Sequence, residues 1–147
     1  MKLTITKDQG STSATILSLE GALDGTNYTS VVEEAQKVYA EGARDLILDL
    51  GKLTYVSSAG LIALHRVALL FRGEGSPGQD EGWAAYRAID RDRDHGTQQH
   101  VKLVGVTGHV LRVLEMVGFS TFFDIYTDIH QAQESFLQPV LVEVSRP

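Results

Sequence analysis

The run Leu46-Ile47-Leu48, inside RDLILDL at 44–50, is the most constraining feature of the chain. Three consecutive branched apolar residues in so short a stretch read as a strand covered on both faces. An apolar helical pattern follows at 58–72, and VKLVGV at 101–106 reads as another buried strand. Strand, helix and strand in that order form the repeating unit of a parallel sheet.

The flanking segments extend this unit. Leu3 and Ile5 alternate with Thr4 and Thr6, and ATILSLEG follows at 14–21 after the polar DQGSTS at 8–13, so the chain is expected to open with a hairpin. Tyr28, Val31, Val32, Ala35, Val38 and Tyr39 recur at helical spacing, and Gly42 stands where a helix end wants a left-handed residue. Thr107 can cap a helix carrying Val110, Leu111, Leu114 and Val117, closed by Gly118. FFDIY at 122–126 reads as a short strand. Thr127 is the expected cap of a last helix with Ile129, Ala132 and Phe136 on one side, ended by Pro139. The expectation is one α/β domain over 1–147, with a mostly parallel, four- to five-stranded sheet that starts with a hairpin and is packed by helices.

Two stretches stand outside this pattern. Residues 73–99 are rich in Gly, Gln and charge and read as an acidic insertion, with 83–90 a candidate short helix. It holds six acids and three bases, half of the chain's formal net charge of -6. The tail at 139–147 includes VLVEVSRP, which alternates apolar and polar residues. Edge pairing, core covering and a dimer contact through this tail are all open.

The excess of acid argues against non-specific binding to nucleic acid or to an anionic membrane, both of which want a basic footprint. Without cysteines the chain has neither disulfides nor thiolate metal sites nor a Cys nucleophile. The five histidines, His65, His95, His100, His109 and His130, show no ligand spacing, so neither a metal nor a cofactor is expected. No GxxxxGK[ST] or GxGxxG occurs, and Ser58 lacks the GxSxG context of a hydrolase elbow. No apolar run approaches a membrane span and no leader-like segment opens the chain, so a cytoplasmic protein that does not insert into membranes is expected.

What remains informative is LILDLGKLTYVSSAGLIAL at 46–64. Residues 52–57 read as a loop between the buried strand and the helix start at Ser57-Ser58. A serine there can be a plain N-cap. The same place also suits a phosphate, because a helix N-terminus carries partial positive charge and orphan N–H groups. The residues alone leave both readings open. At about 100° per residue, Gly60, Leu61, Ala63, Leu64, Val67, Ala68, Leu70 and Phe71 share a sector able to face a sheet. Ser58, Ile62, His65 and Leu69 line the other side as a candidate docking stripe, with Arg66 and Arg72 beside it.

Several of these segments together resemble the STAS domain family, of the anti-sigma factor antagonist type. They are Gly21-Ala22-Leu23-Asp24, Asp49-Leu50, Ser57-Ser58-Ala59-Gly60-Leu61, KLVGV at 102–106 and VLRVLEMVGF at 110–119. The resemblance covers 3–72 and 100–137. It implies a binding protein, not an enzyme, in which Ser58 is phosphorylated by a partner serine kinase that doubles as an anti-sigma factor, with a phosphatase reversing the mark. Unphosphorylated antagonist binds the kinase and phosphorylated antagonist lets go. The implied partner-binding residues are Asp24, Ser57, Ile62, His65, Arg66 and Leu69. Ser57 stands where the best-known members have Asp. The alternative within the family is an adaptor subunit of a transport or stress-signalling assembly that is never phosphorylated.

Overall fold

The computed structural model describes residues 1–7, 14–73 and 98–136. The polar turn at 8–13, most of the insertion with its candidate helix, and the tail with Pro139 lie outside the described residues. The elements are β1 (Lys2–Lys7), β2 (Thr15–Leu23), α1 (Tyr28–Ala40), β3 (Leu46–Val56), α2 (Ser58–Phe71), β4 (Val101–Val104), α3 (Gly108–Met116), α4 (Phe119–Phe122), β5 (Asp124–Tyr126) and α5 (Ile129–Ser135).

The five strands lie in chain order in one sheet. β1 pairs antiparallel with β2, and the pairs β2/β3, β3/β4 and β4/β5 are parallel. A strand order that steps the same way at every right-handed crossover puts every crossover helix on one face. The core reflects this. Leu17 and Leu19 of β2, Leu46, Leu48 and Leu50 of β3 and Leu103 of β4 are buried with Val31 and Ala35 of α1, Leu64 and Val67 of α2, and Leu114 of α3. The intervening residues Ile16, Ile47 and Val104 point the other way and pack against Ala132 of α5. That two-faced burial is what the consecutive apolar run of β3 encodes. Farther along this second face Lys2, Thr4, Ser18, Glu20, Asp49 and Lys52 line an open polar cleft.

α1 ends as its glycine required. Gly42 has φ +113°, its N–H donates to the Tyr39 carbonyl at 3.0 Å, and the Ala43 N–H donates to the Val38 carbonyl at 3.0 Å. These two bonds form a Schellman closure.

Three boundaries differ from the sequence expectation. β3 does not stop at Leu50 but runs through 51–56, pairing Glu20 with Lys52, Gly21 with Leu53, Ala22 with Tyr55 and Leu23 with Val56. Register shifts between Ser18 and Glu20 and between Gly21 and Ala22 break the alternation, which is why this part of the strand reads as a loop in sequence. The Phe-rich segment first turns through α4 and only then extends as β5, because Phe119, Phe122 and Phe123 all bury into the core. The last helix is capped by Asp128, not Thr127. The Asp128 Oδ1 accepts from the Gln131 N–H at 2.8 Å, while the Thr127 hydroxyl donates to Gln131 Oε1 at 2.7 Å.

Candidate functional site

The carboxyl ends of β2 and β3 lie side by side, because Leu23 and Val56 are register partners in a parallel pair. The next residues, Asp24 and Ser57, therefore emerge together at that edge, where open α/β sheets place their binding sites. The Ser57 N–H donates to the Leu23 carbonyl at 2.9 Å, which ties the two exits directly.

Ser57 is the N-cap of α2. Its extended backbone turns the chain, and its hydroxyl accepts from the Gly60 N–H at 3.3 Å. Ser58 is the first helical residue and is exposed. Its side chain is thus presented at the positive end of a 14-residue helix. Gly60 is what lets the helix begin so close to the sheet. A Cβ at that position would lie 2.7 Å from Val56 Cγ2, 2.9 Å from Leu23 Cγ and 3.0 Å from the Leu23 carbonyl oxygen. The Ser57-Ser58-Ala59-Gly60 sequence thus combines a cap, an exposed hydroxyl, a small spacer and a residue without a side chain at the crowded contact.

Asp24 organises the neighbouring turn. Its Oδ1 accepts from the Thr26 hydroxyl at 2.6 Å and from the Thr26 N–H at 2.9 Å, while its carbonyl receives the N–H of Tyr28 at 2.9 Å. Asn27 closes the turn from the other side. Its Oδ1 accepts from the Asp24 N–H, and its Nδ2 donates to the Ala22 carbonyl, each at 2.9 Å. The hydroxyl of Thr26, then its backbone N–H, hold the Asp24 carboxyl below its ordinary value of 3.8. Asp24 is therefore an ionised turn-former beside the start of α2.

The remaining stripe residues divide. Ile62 and Leu69 are half-buried. His65 and Arg66 are buried, with 2% and 7% exposure, so the expected exposed stripe is corrected at both positions. At His65 the reason is a second packing surface. The His65 ring lies 5.7 Å from that of Phe122, within the aromatic cluster formed by Phe119, Phe122 and Phe123. The helical wheel assigns α2 a single buried side, whereas the fold covers two.

The structure adds two residues to this edge. Tyr55, 45% exposed, stacks on the exposed imidazole of His109, with centroids 5.5 Å apart and planes 1° from parallel. The signal for His109 lies in the topology: parallel strands bring the starts of α1, α2 and α3 to the same edge. Among the described residues no group of three or more His, Asp or Glu is placed to hold a metal ion, and no helix is long and apolar enough to cross a membrane.

The comparisons with known proteins agree with this geometry. The family model described as Mlab, STAS domain matches residues 6–77. BtrV of Bordetella bronchiseptica, named as a candidate anti-sigma factor antagonist, is 29% identical over 136 residues, which cover 92% of this chain and 95% of that protein. A crystal structure of a candidate anti-sigma factor antagonist from Thermotoga maritima superposes with a TM-score of 0.68 at 15% identity, covering 92% of this chain and 94% of that one. An anti-sigma factor antagonist from Mycobacterium paratuberculosis gives a TM-score of 0.64, also at 15% identity, covering 92% and 93%. The fold, the motif-bearing edge and these likenesses point the same way: the chain resembles the STAS domain over residues 6–77, shares its fold with solved anti-sigma factor antagonists, and is similar over nearly its whole length to a protein named as one.

Proposed function

We propose that the protein is a phosphorylation-controlled antagonist acting in the cytoplasm, which binds an anti-sigma serine kinase while Ser58 is unmodified and releases it once Ser58 carries a phosphate. The observation that carries this reading is the placement of an exposed Ser58 as the first residue of α2, behind a separate cap. Because Ser57 supplies the cap, modification of the Ser58 hydroxyl would undo no hydrogen bond among the described residues. A phosphate adds about -1.5 to -2 charge, and the helix N-terminus accommodates it. Modification there changes what a partner meets more than it changes the fold. Asp24 and Ser57 flank the acceptor, and Ile62 and Leu69 continue along α2 as partner contacts. His65 and Arg66 serve from beneath, by packing.

The test is incubation with a serine kinase of the anti-sigma type and ATP. The expected product carries one phosphate, mapped to Ser58 by mass spectrometry and absent from Ser58→Ala. Ser58→Asp should bind the kinase at least about tenfold more weakly, as expected for a like charge brought against an acidic nucleotide site. Absence of the phosphate, with Ser58→Asp binding as tightly as wild type, would overturn the switch. It would leave the constitutive adaptor, a reading that Ser57 in place of the family's Asp favours.

A further inference from the structure

A protein surface of ordinary size centred on the Ser58 hydroxyl extends over Tyr55. The two residues are three positions apart, so their Cα atoms are separated by at most about 11 Å. A standard interface buries about 800 Å² on each partner, a patch roughly 16 Å in radius. Tyr55 therefore lies within a footprint of ordinary size centred on Ser58.

Tyr55 is also unusual in its own right. Among the described residues the other exposed large apolar side chains are Met1 and Ile5 at the β1 edge and Met116 at the far end of α3. β3 makes its last pair with β4 at Asp49 and Val104, so residues 50–56 run on beyond β4. His109, the second residue of α3, fills that position beside Tyr55. The flat contact holds the tyrosine ring before any partner arrives, which lowers the rotamer entropy lost on binding. Tyrosine is an amphipathic ring with few rotatable bonds, the kind of side chain that dominates interface energetics.

We propose that the Tyr55–His109 stack is a specificity-determining platform for the serine kinase that acts on Ser58, setting how tightly the protein substrate is held and not the rate of phosphoryl transfer. Tyr55 makes the contact; His109 is a positioning residue that acts through it. The proposal rests on the Ser58 reading above.

The experiment is steady-state phosphorylation of the full chain by an anti-sigma-type serine kinase and ATP, with thermal melts to verify folding. Tyr55→Ala should raise KM for the protein about tenfold and leave kcat within about twofold, a uniform-binding loss. His109→Ala should raise KM about threefold by freeing the ring, and Tyr55→Phe, which keeps the ring, should stay within about twofold of wild type. Met116→Ala, a change at a still more exposed apolar side chain elsewhere, should have no effect. Wild-type KM in Tyr55→Ala, with Ser58 still phosphorylated, would overturn the platform and leave the switch standing. If Ser58 receives no phosphate, the platform is read from kinase binding in the Ser58→Ala background. There an added Tyr55→Ala should weaken binding about tenfold, and unchanged binding would overturn it.

Discussion

At Gly60 the start of α2 approaches the end of β2 so closely that a single methyl group has nowhere to go. The two side-chain carbons and the carbonyl oxygen at 2.7 to 3.0 Å belong to fully packed Val56 and Leu23 and to backbone. Gly60→Ala should therefore cost about 1–3 kcal/mol by overpacking, despite alanine's better helix propensity, and chemical denaturation measures it. At Asp24 the expected effect is on protonation. Its folded-state pKa lies below 3.8, first through the Thr26 hydroxyl and then through the Thr26 N–H. Its contribution to the turn is thus complete above about pH 4 and is lost as pH falls through the lower folded-state value. Thr26→Val removes the hydroxyl and keeps the N–H, so the Asp24 titration followed by NMR should move up toward 3.8. An unmoved midpoint would mean that the hydroxyl does not set it. Neither effect was visible in sequence. The Gly21-Ala22-Leu23-Asp24 and Ser57-to-Leu61 segments marked the place, but the approach at Gly60 depends on two strands ending level.

Helix α2 shows where reading an element by periodicity succeeds and where it stops. All eight residues assigned to its sheet-facing sector are buried. Arg66 is buried too, and so is His65, because a short aromatic helix far along the chain packs against its ring. A polar type at a buried position carries no sign of its cover in the local sequence. The consequence is testable. His65→Ala should lower stability by about 2 kcal/mol or more, in the manner of large-to-small core changes. Its effect on kinase affinity, measured where the variant is fully folded, should be small beside that of Tyr55→Ala. The cap makes a second prediction for the same helix. Ser57→Ala removes the acceptor for the Gly60 N–H and should cost about 1 kcal/mol. Ser57→Asp should restore it, since a carboxylate both caps and complements the helix dipole. Thermal melts of the three proteins order them, and Ser57→Ala as stable as wild type would argue against the cap.

At the scale of the whole molecule, the order of strands and helices was legible because β2, β3 and β4 each carry a run of buried residues and each crossover helix a periodic face. What was not legible was how far β3 runs, since bulges in its pairing with β2 break the alternation that marks a strand. The same topology bears on residues 74–97, which carry half of the formal net charge of -6. α2 starts at the carboxyl edge of the sheet, and its 14 residues, about 21 Å of helix, return the chain to the amino edge, where β4 begins. The described chain is fixed on both sides of the segment. The Gly73 N–H donates to the Leu70 carbonyl at 3.0 Å, and the Gln98 N–H to the Phe122 carbonyl at 2.8 Å. The two ends thus meet the fold at the edge opposite Ser58. Replacing 74–97 with a short Gly/Ser link should leave one cooperative unfolding transition, read by circular dichroism in urea, and should leave Ser58 a substrate. Loss of cooperativity would mean that the segment completes the core. A change in kinase affinity has two separable origins. A purely electrostatic contribution from the removed acids fades as the Debye length falls from about 10 Å at 0.1 M to about 3 Å at 1 M salt, so the two proteins should converge as salt rises. A difference that persists at 1 M would make the segment a direct contact of the partner, and would extend the docking surface beyond the edge that bears Ser58.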